Sequence, residues 1–313
     1  MSGTSLDGAD GVLVDYSRQP PRVLAHAYIA FTAPLIAEFL ALNRSGADEL
    51  HRGALAANAL AHVYAGVVHQ LLMAAEVSAS SIAATGAHGQ TVRHRPQEFD
   101  GTGYTVQLNN PALLAELTGI DVVADFRSRD LAAGGQGAPL VPAFHQATFG
   151  RSGETIAVLN IGGISNLTVL GDDAILGFDC GPGNALMDGW CRAHTGKAFD
   201  AEGAWAASGR IHTGLLARML EDPYFTKAPP KSTGRDLFNT EWLSAQLTNF
   251  SGVPPVDVQA TLAELTAGSC ADCVRRYGRG SGSLLVCGGG ALNAHLMLRL
   301  QAHLPSCRVM STM

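Results

Sequence analysis

The chain has 313 residues, of which 47% are hydrophobic, and its formal net charge is -6. This length suits two domains better than one, and the hydrophobic fraction is enough to build sizeable cores. The acidic balance and the lack of a long basic block argue against a nucleic-acid-binding surface as the main function. Residues 50–77 are apolar but interrupted by polar and charged residues, so they predict a core helix and no membrane partner.

The six cysteines are scattered, and only Cys270 and Cys273 lie close together. Without a second pair at ligand spacing, they do not predict a zinc site. Buried free thiols in a reducing compartment are the simpler interpretation, and no signal peptide is recognised. Together these observations predict a cytoplasmic protein.

The first ten residues, MSGTSLDGAD, precede a predicted strand at residues 11–16. The hydroxyls and backbone amides of this segment can hydrogen-bond phosphate oxygens. Asp7 or Asp10 can hold a magnesium ion, directly or through water, because hard cations prefer oxygen ligands. The alternative is a flexible polar terminus without a ligand.

The rest of the first half alternates strands and helices. Asn110, Pro111 and Gly119 give a clear start and stop to one of the helices. The predicted strands are 23–31, 82–87, 104–108 and 120–125, and the predicted helices are 32–42, 48–77 and 111–118.

Polar side chains follow two of these strands. His88 and Gln90 come just past the strand at 82–87, and Arg127 and Arg129 follow the strand at 120–125. Ligands bind at the carboxyl ends of strands in open α/β sheets, and paired arginines suit an anionic group. A structural histidine and a solvated charge cluster are the alternatives.

The pattern restarts at Ile156 with an apolar hairpin whose tip is Gly162-Gly163. Bare backbone at such a tip can bind phosphate. Asp179 follows within GFDCGPGN, where glycines clear the space around one carboxylate, so it is a candidate general base. A Gly-Pro turn with Asp179 as a cap is the alternative.

A third glycine-rich turn, Gly288 to Gly290, follows a strand at 284–286 and precedes a helix at 294–304. Further helices are predicted at 185–194 and 213–221, after a cap at Thr240, and at 258–276 with Asp257 as its cap. Three glycine-rich turns beside strands, in two α/β halves, favour a nucleotide held in a cleft between two domains, 1–127 and 128–313. Neither a P-loop nor a dinucleotide fingerprint is present.

Several segments closely resemble the anhydro-N-acetylmuramic acid kinases in the order of that family. They are MSGTSLDGAD, GAHGQTVRHRP, VQLNNPALLAELTGIDVVADFRSRDLAAGGQGAPLVP, LNIGGISNLT, GFDCGPGN, KSTGRDLFN and CGGGALN. The resemblance implies two related actin-like, hexokinase-like α/β domains. It also implies ATP-dependent, magnesium-dependent conversion of 1,6-anhydro-N-acetylmuramic acid and water into N-acetylmuramic acid 6-phosphate during cell-wall recycling.

The resemblance also assigns residue roles, with Asp179 as the catalytic base. Asp7 is the expected magnesium contact, either directly or through a water molecule. The implied nucleotide-binding residues are Ser2, Gly3, Thr4, Ser5, Leu6, Asp7, Gly8, Asp10, Gly162, Gly163, Ser165, Asn166, Gly288, Gly289 and Gly290. The implied substrate-binding residues are His88, Gln90, Arg127, Arg129 and Asn184.

The resemblance is not complete at the ends of the chain. Family members begin with a strand before MSGTS and continue beyond the position of Met313, so a first strand and a C-terminal tail are expected to be missing here, which puts the activity in question. A kinase for a different sugar, or a non-catalytic sugar-binding or sensor protein on the same fold, is the competing hypothesis. Family members are often homodimers.

Overall fold

The computed structural model describes residues 1–3, 6–18, 21–172 and 174–312. The chain forms two compact units, Met1–Gly137 and Ala138–Met313. The predicted boundary after residue 127 lies within the first of them, just before a short helix. Both units contain helices and strands, so the predicted α/β class is confirmed.

Unit 1 is built on three strand pairs and a long helix. Its elements are β1 (Gly8–Asp15), β2 (Arg22–Ala30), α1 (Ala33–Leu42), α2 (Glu49–Ala75), β3 (Thr85–Gly86), β4 (Gln90–Pro96), β5 (Gly103–Leu108), α3 (Pro111–Thr118), β6 (Val122–Val123) and α4 (Ser128–Ala132). Strands β1 and β2 and strands β4 and β5 pair antiparallel, whereas β3 and β6 pair in parallel.

Helix α2 forms the centre of the core of unit 1. Leu60, Ala61 and Tyr64 of α2 are buried, and the helix packs against β1, β2 and α3. By length and composition α2 is apolar enough to cross a membrane, but a core helix passes the same test and half of its most apolar window is buried inside unit 1.

Local signals identified α3 correctly but overestimated two strands. Asn110 Oδ1 accepts a hydrogen bond from Leu113 N at 3.0 Å, and Gly119 ends α3 with φ 67°. The strands predicted at 82–87 and 120–125 are only the two-residue β3 and β6. Half of the run at 82–87 is alanine, and Ala83 and Ala84 are exposed, so little apolar burial favours a longer ladder.

Unit 2 contains one five-stranded sheet and seven α-helices among its described residues. Its elements are α5 (Pro142–Phe149), β7 (Ile156–Ile161), β8 (Ile164–Leu170), β9 (Ile175–Pro182), α6 (Asn184–Thr195), α7 (Ala204–Ser208), α8 (Thr213–Leu220), α9 (Thr240–Leu247), α10 (Pro255–Tyr277), β10 (Ser283–Cys287), α11 (Ala294–His303) and β11 (Arg308–Ser311). The strand order is β11-β10-β7-β8-β9. Strand β10 is parallel to β7 and β11, whereas β7, β8 and β9 form an antiparallel meander that contains the predicted hairpin.

Helix α10 packs on one face of this sheet and is buried along most of its length. Two predicted caps of unit 2 are wrong. Asn239, not Thr240, caps α9, because Asn239 Oδ1 accepts from Trp242 N at 2.9 Å. Helix α10 begins at Pro255, before the predicted cap Asp257, because proline at the first helical position needs no N–H partner.

Candidate active site

A row of polar side chains crosses four strands of the unit 2 sheet. Asp179 on β9 is paired directly with Asn166 on β8, Asn166 with Asn160 on β7, and Asn160 with Cys287 on β10. Residues directly opposite in a sheet point to the same face. The row therefore lies on one face, next to the carboxyl ends of β7 and β10, where ligands bind in α/β sheets.

Asp179 is buried, with 4% of its surface exposed, and its main chain and carboxylate are both held. Asp179 N donates to Lys231 O at 3.0 Å, Tyr224 Oη donates to Asp179 O at 2.9 Å, and Thr233 N donates to Asp179 Oδ2 at 2.9 Å. The alternative that Asp179 caps a Gly-Pro turn is wrong, because the residue lies within β9 and pairs with β8. A buried, oriented carboxylate is suited to general-base chemistry.

The Gly162-Gly163 turn is hydrogen-bonded to the start of α6. Asn184 N donates to Gly162 O at 2.8 Å, and Gly183 N donates to Gly163 O at 3.0 Å. The Asn184 side chain reaches back to the end of β7, where its Nδ2 donates to Ile161 O at 3.3 Å. The turn and the helix start therefore form one element at the carboxyl end of β7.

The Gly288–Gly290 turn lies against the same end of β7. Gly288 has φ 78°, and a Cβ there would be 2.5 Å from Asn160 Oδ1 and 2.7 Å from Ile161 O. A Cβ on Gly289 would be 3.4 Å from Asn184 Nδ2. The structure thus brings both predicted glycine turns of unit 2 and Asn184 together beside the polar row.

Ser165 and Asn166, both predicted to bind nucleotide, differ in their surroundings. Ser165 is fully buried, and its Oγ donates to Gly181 O at 3.1 Å and accepts from Cys270 Sγ at 3.2 Å, so it links β8 to β9. Asn166 Oδ1 is buried and has no hydrogen-bond partner within the described part of the chain. An orphaned buried acceptor indicates a bound water or ligand group.

In unit 1, the segment before β1 is hydrogen-bonded to residues 88–90. Ser2 is buried; its Oγ lies 2.9 Å from Tyr64 Oη and donates to Gly89 O at 3.3 Å. Gln90 Nε2 donates to Gly3 O at 3.3 Å. These bonds argue against a free polar terminus. Thr4 and Ser5, predicted to bind phosphate, lie outside the described residues.

The remaining predicted phosphate-loop residues lead into β1. Leu6 is buried at φ 59°, and Asp7 Oδ1 accepts from Gly8 N at 3.1 Å. Asp10 Oδ1 lies 3.1 Å from His26 Nε2, with both side chains more than half exposed. Among residues 1–3, 6–18, 21–172 and 174–312, no group of three or more His, Cys, Asp or Glu side chains is placed to hold a metal ion.

The half-buried Arg127 is hydrogen-bonded to the buried His88 in unit 1. Arg127 Nε donates to His88 Nε2 at 2.9 Å, and His88 Nδ1 lies 2.7 Å from Gly89 O, so the Nδ1-protonated neutral tautomer satisfies both contacts. Burial, and secondly the Arg127 guanidinium, lower the pKa of His88 to about 4. Arg127 also donates to Gly137 O. Arg129, by contrast, is exposed on α4.

His94 is half-buried on the neighbouring strand β4, with its Nδ1 3.0 Å from Thr105 Oγ1. Burial, and secondly the Arg127 charge, lower its pKa to about 4 as well. Gln90 Oε1 and Asn109 Oδ1 are buried without a partner among the described residues. The predicted substrate residues His88, Gln90 and Arg127 therefore lie in one polar cluster of unit 1.

The lowered pKa values of His88 and His94 predict that unit 1 loses stability in mild acid. Both are neutral when folded, so the unfolded chain binds more protons between about pH 6.5 and about pH 4, and stability falls as the pH drops through that window. The expected loss is about 2 kcal/mol per histidine at pH 5. Urea unfolding at pH 7.5 and pH 5 measures it.

In His88→Gln the loss of unfolding free energy between pH 7.5 and pH 5 is expected to be smaller by the contribution of one histidine. His69→Gln, at an exposed position of α2, is the matched control and keeps the full loss. Equal stability of the parent chain at both pH values would contradict the buried neutral state.

Three residues that contact Asp179 were not singled out from the sequence: Tyr224, Lys231 and Thr233. Lys231 and Thr233 lie in the polar loop 231–236, which carries part of the family resemblance but no catalytic signature. The available signal was the rarity of lysine, since the chain has only three. Tyr224 lies 45 residues from Asp179, and no local pattern predicts that contact.

The sequence model of a family described as anhydro-N-acetylmuramic acid kinase matches residues 1–313. The chain is 64% identical to the anhydro-N-acetylmuramic acid kinase of Albidiferax ferrireducens, with 100% of this chain and 86% of that protein covered. It is 66% identical to the enzyme of the same name from Variovorax paradoxus, with 99% and 84% covered.

Solved structures are more distant. The activator of the 2-hydroxyisocaproyl-CoA dehydratase from Clostridium difficile with bound ADPNP aligns with a TM-score of 0.48 at 11% identity, over 97% of this chain and 84% of that one. A ROK family glucokinase from Streptomyces griseus in complex with glucose and AMPPNP aligns with a TM-score of 0.40 at 12% identity, over 97% and 94%.

Proposed function

The chain belongs to the anhydro-N-acetylmuramic acid kinase family, and on that premise we propose which of its residues carry out the reaction. The activity is phosphoryl transfer from ATP coupled to hydrolytic opening of a 1,6-anhydro sugar. Water and 1,6-anhydro-N-acetylmuramic acid enter, and N-acetylmuramic acid 6-phosphate and ADP leave. This is a step of cell-wall recycling.

Asp179 is the proposed base, and its buried, oriented carboxylate is the observation that carries the proposal. The carboxylate takes a proton from water as the water oxygen attacks the anomeric carbon. The bond between that carbon and O6 breaks, and O6 then attacks the γ-phosphorus in line. Opening the bridge and supplying the nucleophile are thus one sequence of events, started by one carboxylate.

The proposed nucleotide contacts in unit 2 are the two glycine turns and Asn166. The turns lie at the carboxyl ends of β7 and β10, where backbone can approach phosphates, and the orphaned Asn166 Oδ1 lies in the adjacent row. In unit 1, the segment from Ser2 to Asp10 is the proposed second phosphate contact.

The residues present fit a magnesium ion held mainly by phosphates. Magnesium usually uses one or two carboxylates together with substrate phosphates and water, so the absence of an all-protein cage among the described residues is compatible with it. Asp7 is the proposed carboxylate. When bound, the ion neutralises charge that develops on the phosphate oxygens.

Arg127 is the proposed partner of the lactyl carboxylate of the substrate. Its guanidinium is held by His88 and Gly137 O, whereas Arg129 is exposed on α4. A fixed guanidinium loses less entropy on binding a carboxylate than a free side chain does. His88 and Gln90 are proposed to shape the same substrate site.

Arg127→Lys is expected to raise the KM for the anhydro sugar about tenfold with little change in the KM for ATP, because lysine cannot reproduce the planar fork. Steady-state kinetics with each substrate varied in turn measures this. Arg129→Lys is the matched control and is expected to leave both constants within about twofold. A larger rise of the KM for the anhydro sugar in Arg129→Lys than in Arg127→Lys would assign the carboxylate contact to Arg129.

Release of ADP tests the proposed function as a whole. A coupled assay with magnesium and ATP compares the anhydro sugar with N-acetylmuramic acid and N-acetylglucosamine. Release with the anhydro sugar alone is expected. Equal release with N-acetylglucosamine would point to a kinase for another sugar, and release with none of the three would favour a non-catalytic sugar-binding protein.

The cellular setting is part of the proposal. The six cysteines are free thiols, which suits the reducing cytoplasm, where ATP is also available. A homodimer stays a prediction from the family resemblance.

A further inference from the structure

Three hydrogen bonds connect Asp179, Lys231 and Tyr224 in a closed ring. Asp179 N donates to Lys231 O at 3.0 Å, Lys231 Nζ donates to Tyr224 O at 3.1 Å, and Tyr224 Oη donates to Asp179 O at 2.9 Å. Each residue gives one bond and receives one. Asp179 lies on β9, Tyr224 on a short 3-10 turn (Pro223–Thr226) and Lys231 on the loop that follows this turn. The ring therefore joins β9 to the segment at 223–231.

The ring includes a buried ammonium group. Lys231 is only 5% exposed, whereas the other two lysines of the chain, Lys197 and Lys227, are exposed. Its Nζ lies 4.6 Å from the centre of the Tyr224 ring, within range of a cation–π contact. A buried ammonium costs free energy unless it is well paired, so its place in a ring that holds the backbone of a buried aspartate calls for a functional explanation.

Titratable groups from two elements face the Lys231 ammonium. Asp179 and Cys180 come from β9, and Cys273 and Arg276 come from α10. Burial has the largest effect and lowers the pKa of Lys231, and Arg276 also lowers it, whereas Cys273, Cys180 and Asp179 act in the opposite direction. The Asp179 carboxylate therefore favours the charged form of the ammonium.

The loop that carries Lys231 also holds the reacting group. Thr233, two residues later, donates its backbone N–H to Asp179 Oδ2 at 2.9 Å. Thr233 Oγ1 is buried without a partner among the described residues, as is Asn166 Oδ1 in the residue paired with Asp179. Because Thr233 itself bonds to the Asp179 carboxylate, its orphaned hydroxyl leaves a hydrogen-bonding position for a water beside that carboxylate.

We propose that Lys231 and Tyr224 are positioning residues for the base: the ring fixes the backbone of Asp179, and the buried Lys231 ammonium adds a positive charge to that ring, so that the carboxylate is held beside the water it activates. This inference rests on the proposed role of Asp179. Neither side chain needs to touch the sugar. The ring accounts for a buried lysine in a place where a hydrophobic residue would be less costly.

Two substitutions separate the two parts of the role. Lys231→Met removes the charge and the bond to Tyr224 O; it is expected to lower kcat about 100-fold and to move the acidic limb of the kcat/KM pH profile upward by about one unit. Tyr224→Phe removes only the bond to Asp179 O; it is expected to lower kcat about tenfold and leave that limb in place. The KM for ATP should change little in both.

Lys227→Met and Tyr16→Phe are the matched controls, because both side chains are exposed. Circular dichroism and ATP affinity establish that each variant is folded. Folded variants with kcat within about twofold of the parent, or an acidic limb that does not move in Lys231→Met, would overturn the inference. If Lys231→Met does not fold, the Tyr224→Phe result decides the positional part: a tenfold loss supports it and a parental kcat overturns it.

The proposed function fails in a different way. Normal turnover in Asp179→Asn would remove the base itself. An inactive Asp179→Asn together with fully active Lys231→Met would remove only the inference about the ring.

Discussion

Asp179→Asn is expected to lower kcat about 1000-fold while leaving ATP affinity within about twofold of the parent. An amide cannot take a proton from water, yet it has nearly the same shape as the carboxylate. Its oxygen can still accept the bond from Thr233 N, and the main-chain bonds of Asp179 are unaffected. The variant should therefore fold and lose only the chemical step. Single-turnover ADP release and equilibrium nucleotide binding measure the two effects separately.

Glu221→Gln is the control for loss of a carboxylate in unit 2, because Glu221 is exposed at the end of α8 and its side chain pairs with Arg218. We expect its kcat to stay within about twofold of the parent. If Asp179→Asn turned over at the normal rate, water activation would have to be assigned to another group.

Gly288→Ala is expected to weaken ATP binding about 100-fold, the second largest effect. Gly288 has φ 78°, and the new Cβ would meet Asn160 Oδ1 at 2.5 Å and Ile161 O at 2.7 Å. Backbone cannot move away cheaply, so the turn after β10 must shift from the end of β7. Because both glycine turns of unit 2 meet there, the shift disturbs the proposed nucleotide contacts. Calorimetric titration with ATP measures the loss.

Gly282→Ala is the matched control, since it lies just before β10 and nothing is within 4 Å of its added Cβ. Its ATP affinity should equal that of the parent. Equal affinities in both variants would show that the Gly288 turn does not contribute to the nucleotide site.

Local sequence signals were reliable where one segment determines its own structure. Asn110, Pro111 and Gly119 bracket α3, and the apolar run from Ile156 forms β7 and its hairpin. Cap predictions failed where neighbouring residues compete for one helix start. At α9, Asn239 and Thr240 are both good caps, and only the observed bond from Trp242 N distinguishes them.

The surroundings of Asp179 could not be predicted because they depend on distant segments. Gly181 and Pro182 suggested a turn, but pairing with β8 keeps this stretch in a strand. Ser165 stays a nucleotide contact that the family resemblance implies, but its surroundings could not be predicted, because Cys270, 105 residues away, bonds to its hydroxyl in the core. The ring through Tyr224 and Lys231 closes only when β9 and the loop at 231–236 are packed together.

The mass of the sugar product, measured beside ADP release, tests the central claim that opening of the bridge and phosphorylation are coupled. The anhydro sugar is incubated with ATP and magnesium, and the product is compared by mass spectrometry with the starting sugar. The account predicts a single product that is heavier by one water and one phosphoryl group, with one ADP per sugar. A product that gains only water, or ADP released while the sugar stays unchanged, would contradict it.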